Sequence, residues 1–193
     1  MSSDGDLGVV VETERLIVRP WHPDEADRLF DVLSRMDVVR GLGPSARPLK
    51  ERAEAVALIE RWTAGYGGGP TLGAWAIIER SSAVPAGTVL LRPAPDGDGE
   101  IEIGWSLHPD SWGKGLATEA ASAVLGRAFA AGLQEVWTSV LPDNDRSAAV
   151  CRRIGTRLLG LSSRWYHEPG LIFWAGARDG QEPSLAPDAL AAT

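Results

Sequence analysis

Apolar positions along this chain follow two periods, one suited to a buried helix face and one to a strand. Ala26, Leu29, Phe30 and Leu33 recur at i, i+3, i+4 and i+7, the spacing of one helical stripe. The preceding His22-Pro23-Asp24-Glu25 is a helix start, with proline in the first turn and two acids complementing the dipole. Ala55, Leu58, Ile59 and Trp62 repeat the stripe until Gly65 and Gly67-Gly68-Gly69-Pro70 break it. Two later helices are predicted, from about Leu116 to Ala131 and from Arg146 to Ile154, stopped by Gly132 and Gly155. Runs bounded by turn residues predict strands over Leu16–Val18, Ala74–Glu79, Gly87–Arg92, Glu100–His108, Val136–Leu141, Arg157–Leu161 and Leu171–Ala175.

That order predicts an α/β domain with a mixed sheet and helices on both faces. The domain is expected over 9–178. Residues 1–8 and 179–193 are expected to be flexible tails, the second having too few apolar residues to pack.

Composition narrows the class. A chain of 193 residues with 44% apolar and 23% charged residues is one ordinary domain, large enough to need no staple. A single cysteine, Cys151, cannot close an internal disulfide, and His22, His108 and His167 are too scattered for a metal site. A reducing, cytoplasmic compartment is expected, and no metal. The polar, acidic start and the absence of a long apolar run give no sign of a signal peptide or membrane span. A net charge of −7 argues against binding along nucleic-acid backbones. Between Arg146 and Arg178, six arginines face one acid, Glu168. This sector fits either a small anionic ligand or a solvated face. A homodimer stays open as the commonest closed assembly.

The chemistry concentrates in Glu102-Ile103-Gly104-Trp105-Ser106-Leu107-His108-Pro109-Asp110-Ser111-Trp112-Gly113-Lys114-Gly115-Leu116-Ala117-Thr118. Here a strand enters a glycine-bearing loop that opens onto a helix. Helix starts leave N–H groups without partners and favour negative charge, and glycine lets a phosphate approach the backbone. The loop is a candidate diphosphate cradle. It is neither a P-loop, since Gly115 follows Lys114, nor the dinucleotide fingerprint, since Thr118 stands where the third glycine belongs.

Trp112-Gly113-Lys114-Gly115-Leu116-Ala117 resembles the acetyl-CoA loop of the GCN5-related N-acetyltransferases (GNAT), with Trp112 where glutamine or arginine is usual. Thr13 to Pro20, Glu102-Ile103-Gly104-Trp105, and Asn144-Asp145-Arg146-Ser147 leading to Arg153-Ile154-Gly155 extend the likeness. Together they resemble the branch of ribosomal-protein alanine N-acetyltransferases. The resemblance implies a mostly antiparallel sheet whose two central parallel strands splay, here Glu100–His108 and Val136–Leu141. It also implies acetyl transfer from acetyl-CoA to a primary amine, of a protein N-terminus or a small molecule.

The implied pyrophosphate site is the backbone of Gly113, Lys114, Gly115, Leu116, Ala117 and Thr118, after Trp112. Asn144 is implied to bond the pantetheine arm, and is equally a helix N-cap by residue type. Ser147 is the implied proton donor to the departing thiolate. A backbone N–H near Leu107 is the expected oxyanion donor.

Amines are protonated near neutral pH, so a base is needed. Glu102 is the candidate, on the face it shares with Gly104 and Ser106. The bland alternative is a structural carboxylate paired with an arginine. His108 is the rival base, and Gly104 marks a candidate bulge that would break the phase. Cys151, on a buried stripe, reads as an inert core thiol. Acceptor specificity is expected from the first two helices and the loop from Arg164 to Gly170, with Trp62, Tyr66, Trp165 and Tyr166 as cleft candidates. The chain's acidity favours a cationic acceptor. An acyl-CoA sensor without catalysis and a transferase of longer acyl groups are the competing readings.

Overall fold

The computed structural model describes residues 8–43, 46–67, 69–166, 168–178 and 180–184. Among these residues eight strands form one sheet: β1 (Val11–Glu12), β2 (Leu16–Pro20), β3 (Gly73–Glu79), β4 (Pro85–Pro93), β5 (Ile101–Leu107), β6 (Glu135–Val140), β7 (Arg157–Ser162) and β8 (Gly170–Gly176). Their spatial order is β1-β2-β3-β4-β5-β6-β8-β7. Every neighbouring pair is antiparallel except β5 and β6, which run parallel.

Among the described residues five helices flank the sheet: α1 (Ala26–Leu33), α2 (Met36–Val39), α3 (Arg52–Ala64), α4 (Leu116–Ala130) and α5 (Asp145–Arg153). The predicted start of the first helix is a 3-10 turn, Pro23–Glu25, closed by a reciprocal cap. His22 Nδ1 accepts from the Asp24 amide, and the Glu25 carboxylate accepts from the His22 amide at 2.8 Å. α4 packs on one face through Leu116, Ala120 and Val124 against Val89, Leu91 and Ile103, and α5 joins it through Ala148 and Cys151 against Phe173. α1 and α3 cover the other face through Leu29 and Ile59 against Ala76 and Ile78.

β1 and α2 have no counterpart among the predicted elements. Two and four residues are too few to show a period, and tertiary contacts define both. In α3 the stripe divides: Ala55 and Ile59 are buried, while Leu58 and Trp62 are only half-buried and border a cavity. Past Arg178 the chain still makes contacts, with the Gln181 amide donating to Gln134 and Glu182 paired with Arg157. Residues 1–7, 179 and 185–193 of the two tails lie outside the described residues. Within those described, no helix is long and apolar enough to cross a membrane, and no group of three or more His, Cys, Asp or Glu is placed to hold a metal.

Candidate active site

The parallel pair in mid-sheet makes the site. β5 and β6 share a single register pair, Glu102 with Trp137, whereas β4 and β5 stay in register from Gly87–Leu107 to Pro93–Ile101 without a bulge. The His108 amide donates to Ala86 at 2.8 Å. In an antiparallel ladder, alternate residues therefore point to β4, and the amides of Trp105 and Leu107 point to the β6 side. Beyond Glu102 those strands separate, so both amides point to the seam between them, where Trp105 borders the opening.

A cavity of about 560 Å³ occupies that opening, bounded by Gly104, Thr138, Ser139, Val140 and Ser147, and extends under α3 to Trp62 and Tyr66. Glu102 lies in its wall and is 6% exposed. The unbroken register keeps it on one face with Gly104 and Ser106, opposite Arg92, Leu90 and Thr88 of β4. Gly104 serves packing there, since a Cβ would meet Leu90 Cδ1 at 3.3 Å.

Both Glu102 oxygens are engaged. Arg92 Nε donates to Oε1 at 2.6 Å and the Tyr166 hydroxyl donates to Oε2 at 2.5 Å. The arginine partner that the chain left open is thus present, but inside a cavity. Burial pulls the Arg92 guanidinium down, and the Glu102 charge outweighs it and pushes it up. Burial, then the Glu102 charge, pushes the Tyr166 hydroxyl well above its ordinary 10.

The loop before α4 has the geometry of an anion cradle. Gly113 and Gly115 adopt φ of 74° and 78°, left-handed values that glycine takes at no steric cost. Nothing lies within 4 Å of a Cβ built on Gly113. The first bond from α4 to the loop is from the Glu119 amide to Gly115, so the Leu116, Ala117 and Thr118 amides lie ahead of the helical ladder. Arg15 clamps the loop, donating to the Lys114 carbonyl at 3.0 Å and to Glu119 at 2.7 Å. Lys114 Nζ reaches Glu79 at 3.6 Å. Trp112 braces it from the other side: its indole N–H donates to the Leu107 carbonyl at 2.8 Å, and the Arg146 guanidinium sits 4.5 Å over the ring.

Asn144 caps α5, its side-chain oxygen accepting from the Ser147 amide at 3.1 Å. Its Nδ2 lies beside Gly41, whose Cβ, if present, would meet it at 2.9 Å. Ser147 borders the cavity, and Cys151, one turn on, is fully buried. Burial pushes the Cys151 thiol up to about 12.

Other candidates fall elsewhere. Trp165 is 2% exposed and packs edge-on against Trp137, ring centroids 5.5 Å apart, so it is core rather than cleft. His167 lies outside the described residues. The arginine-rich sector is dispersed: Arg146 covers Trp112, Arg157 pairs with Glu182, and Arg164 pairs with Asp98 and Glu100.

His108 does not line the cavity. It caps the 3-10 turn Pro109–Ser111, with Nε2 3.1 Å from Asp31 and Nδ1 2.9 Å from the Asp110 carboxylate. Burial pushes the Asp110 carboxyl up, but bonds from Ser111, Arg28 and His108 prevail and hold it at about 2, below its ordinary 3.8. A depressed carboxyl contributes stability above its unfolded pKa that is lost as pH falls through the folded one. The stability advantage of the wild type over Asp110→Asn is expected to be constant above about pH 5 and to vanish between about pH 4 and 2. Urea midpoints at each pH measure it, and a gap that persists at pH 2 contradicts this coupling.

Arg92 and the cavity arginines Arg47 and Arg61 were not singled out from the chain. For Arg92 a signal existed: closing the β4–β5 hairpin in the observed register sets Arg92 directly across from Glu102.

Comparisons with known proteins agree with this architecture. Residues 15–157 match the family model described as an acetyltransferase (GNAT) domain. An uncharacterized N-acetyltransferase, YoaA of Bacillus subtilis (strain 168), is 26% identical over 162 residues, covering 83% of this chain and 90% of that protein. Among solved structures, a GNAT-family acetyltransferase from Bacillus anthracis superposes with a TM-score of 0.73 at 20% identity, covering 86% of this chain and 98% of its own. The microcin C7 self-immunity acetyltransferase MccE, solved with acetyl-CoA and AMP, has a TM-score of 0.69 at 16% identity, with 85% and 93% covered. With the family model spanning most of its length, this chain belongs to the GNAT acetyltransferase family.

Proposed function

We propose that this protein acetylates a primary amine, of a peptide N-terminus or a small molecule, by direct transfer from acetyl-CoA. The observation that carries the reading is one cavity bordered together by the opened β5–β6 seam, Glu102 and Ser147. The order of its motifs and Trp112 support a likeness to the branch of ribosomal-protein alanine N-acetyltransferases as part of this reading.

The residues present fit the donor. Uncommitted amides at a glycine loop with open space at Gly113 suit a diphosphate. Gly113, Lys114, Gly115, Leu116, Ala117 and Thr118 would hold it by backbone, and Trp112 would keep the loop in place. The separated strands offer the Trp105 amide to an extended arm, as an added strand would use it. Because the Asn144 oxygen is taken by its cap, only its Nδ2 is left to donate to that arm. Bound there, acetyl-CoA supplies a thioester carbonyl open to attack by an amine.

The protein's own groups then manage protons and charge. The Tyr166 hydroxyl already donates to Glu102, so its oxygen can take a proton from the amine as its own proton moves to the carboxylate. This concerted relay needs no free phenolate, which the raised Tyr166 would resist. Arg92 holds the carboxylate in orientation. The Leu107 amide is directed to stabilise oxyanion charge, and the Ser147 hydroxyl holds a proton for the departing sulfur. Cys151, buried and raised to about 12, has no thiolate to offer as an acyl carrier.

A panel of amines incubated with acetyl-CoA tests this, with free thiol as the readout. Amine-dependent thiol release with N-acetylated product is expected. Tight coenzyme binding without release for any amine would mean an acyl-CoA sensor instead.

A further inference from the structure

We infer that the acceptor amine carries an anionic group, a carboxylate or phosphate, which Arg47 and Arg61 bind at the outer end of the cavity. This rests on the acetyltransferase reading above and adds the chemical class of the acceptor. The charged side chains bordering the cavity are Arg47, Arg61, Arg92 and Glu102. Arg92 and Glu102 neutralise each other through their ion pair, which leaves a pocket of net positive charge in a protein of net −7. An acidic molecule that concentrates uncompensated cations at its reaction cavity is built to receive negative charge.

Arg40, Arg127, Arg146, Arg152, Arg153 and Arg178 share with Arg47 and Arg61 the lack of a carboxylate partner among the described residues, but of all eight only Arg47 and Arg61 border the cavity. Arg15, Arg19, Arg28, Arg35, Arg52, Arg80, Arg92, Arg157 and Arg164 each hold a carboxylate. Among the described residues, neither Arg47 nor Arg61 has a carboxylate within ion-pair distance. Glu54 is the acid that feels Arg47, but its carboxylate is spent on the Lys50 and Glu51 amides. Arg61 acts instead on Tyr66, and Trp62 and Leu58 of the same helix add an apolar wall. The complementary acceptor has its amine at Tyr166 and Glu102, an apolar body along α3 and an anion at the outer end. A guanidinium fork suits carboxylate and phosphate alike. The acidity of the whole chain pointed to a cationic acceptor; the charge inside the cavity points the other way.

Matched acceptors test this, read as kcat/KM by thiol release. 4-(Aminomethyl)benzoate is compared with its methyl ester, and O-phosphoethanolamine with ethanolamine, with spermidine as the cationic control. At least one anionic member is expected to exceed its neutral partner about tenfold, the size of a charged hydrogen bond, and whichever pair responds identifies carboxylate or phosphate. In Arg61→Glu that ratio is expected to fall about tenfold or more, with the KM for acetyl-CoA unchanged. Anionic and neutral partners used equally well, or spermidine preferred over both, would overturn the inference while leaving the transferase intact. Absence of release with all five amines, despite coenzyme binding, would overturn the underlying reading as well.

Discussion

Glu102→Gln is expected to lower kcat by about 10²-fold or more, the usual contribution of a positioned base. Glutamine keeps the shape and its one oxygen can still accept from Arg92, but its NH2 would donate to the Tyr166 oxygen instead of accepting from it, and it cannot hold the transferred proton. Its pH profile should separate this from a structural effect. With the relay gone, only amine already neutral in solution reacts, so log kcat/KM should climb with slope one up to the pKa of the acceptor. The variant also strips a half-buried arginine of its counter-ion, a loss of about 2 kcal/mol once partial exposure is discounted. At roughly 2–4 °C per kcal/mol for a chain this long, Tm should drop by about 4–8 °C. Adding Arg92→Met to Glu102→Gln should recover most of that Tm and none of the rate. Full activity of Glu102→Gln from about pH 6 to 9 would remove the carboxylate from catalysis and leave it as the Arg92 partner alone.

Gly113→Asp should weaken acetyl-CoA binding about a hundredfold while leaving the fold intact. The position has φ of 74° and open space around its Cβ, and aspartate is among the few residues that tolerate left-handed φ. Tm should therefore move by no more than about 2 °C. The carboxylate, however, would sit at the mouth of the amides that precede α4, competing for them and repelling a diphosphate. Gly113→Asn, of nearly the same size without the charge, should lose much less. Titration calorimetry with both variants separates charge from volume. Equal affinities for wild type and Gly113→Asp would place the pyrophosphate elsewhere and undo the cradle.

The elements were legible wherever their signal is local. A period repeated over a dozen residues, a glycine after the last apolar position or a loop rich in turn residues reports on its own segment, and each predicted helix and strand has its counterpart within one to three residues at most ends. Elements of two and four residues carry no such period, and β1 and α2 exist because Val11 pairs with Val18 and Val38 packs into the α1–α3 core. The same division runs through the site. Gly113 and Gly115 could be read from the chain because glycine spacing ahead of a helix is itself local. Glu102 could be placed on a face by alternation alone. Its partners needed more: Arg92, 10 residues away, follows only once the hairpin register is known, and Tyr166, 64 away, comes to the same carboxylate only by its loop path.

By itself, then, the order of residues determined the longer helices and strands, which strand face carries Glu102 and where a phosphate could meet free amides. Each of those follows from steric and hydrogen-bonding preferences that act over a few residues. Tertiary structure alone decided that β5 and β6 touch at a single pair and then part, that Trp165 is core while Tyr166 reaches the carboxylate, and that Arg47 and Arg61 border the cavity with no carboxylate paired to them among the described residues. These depend on the separation of groups remote in the chain. Charge and solvation follow distance in space, to which composition and periodicity are blind.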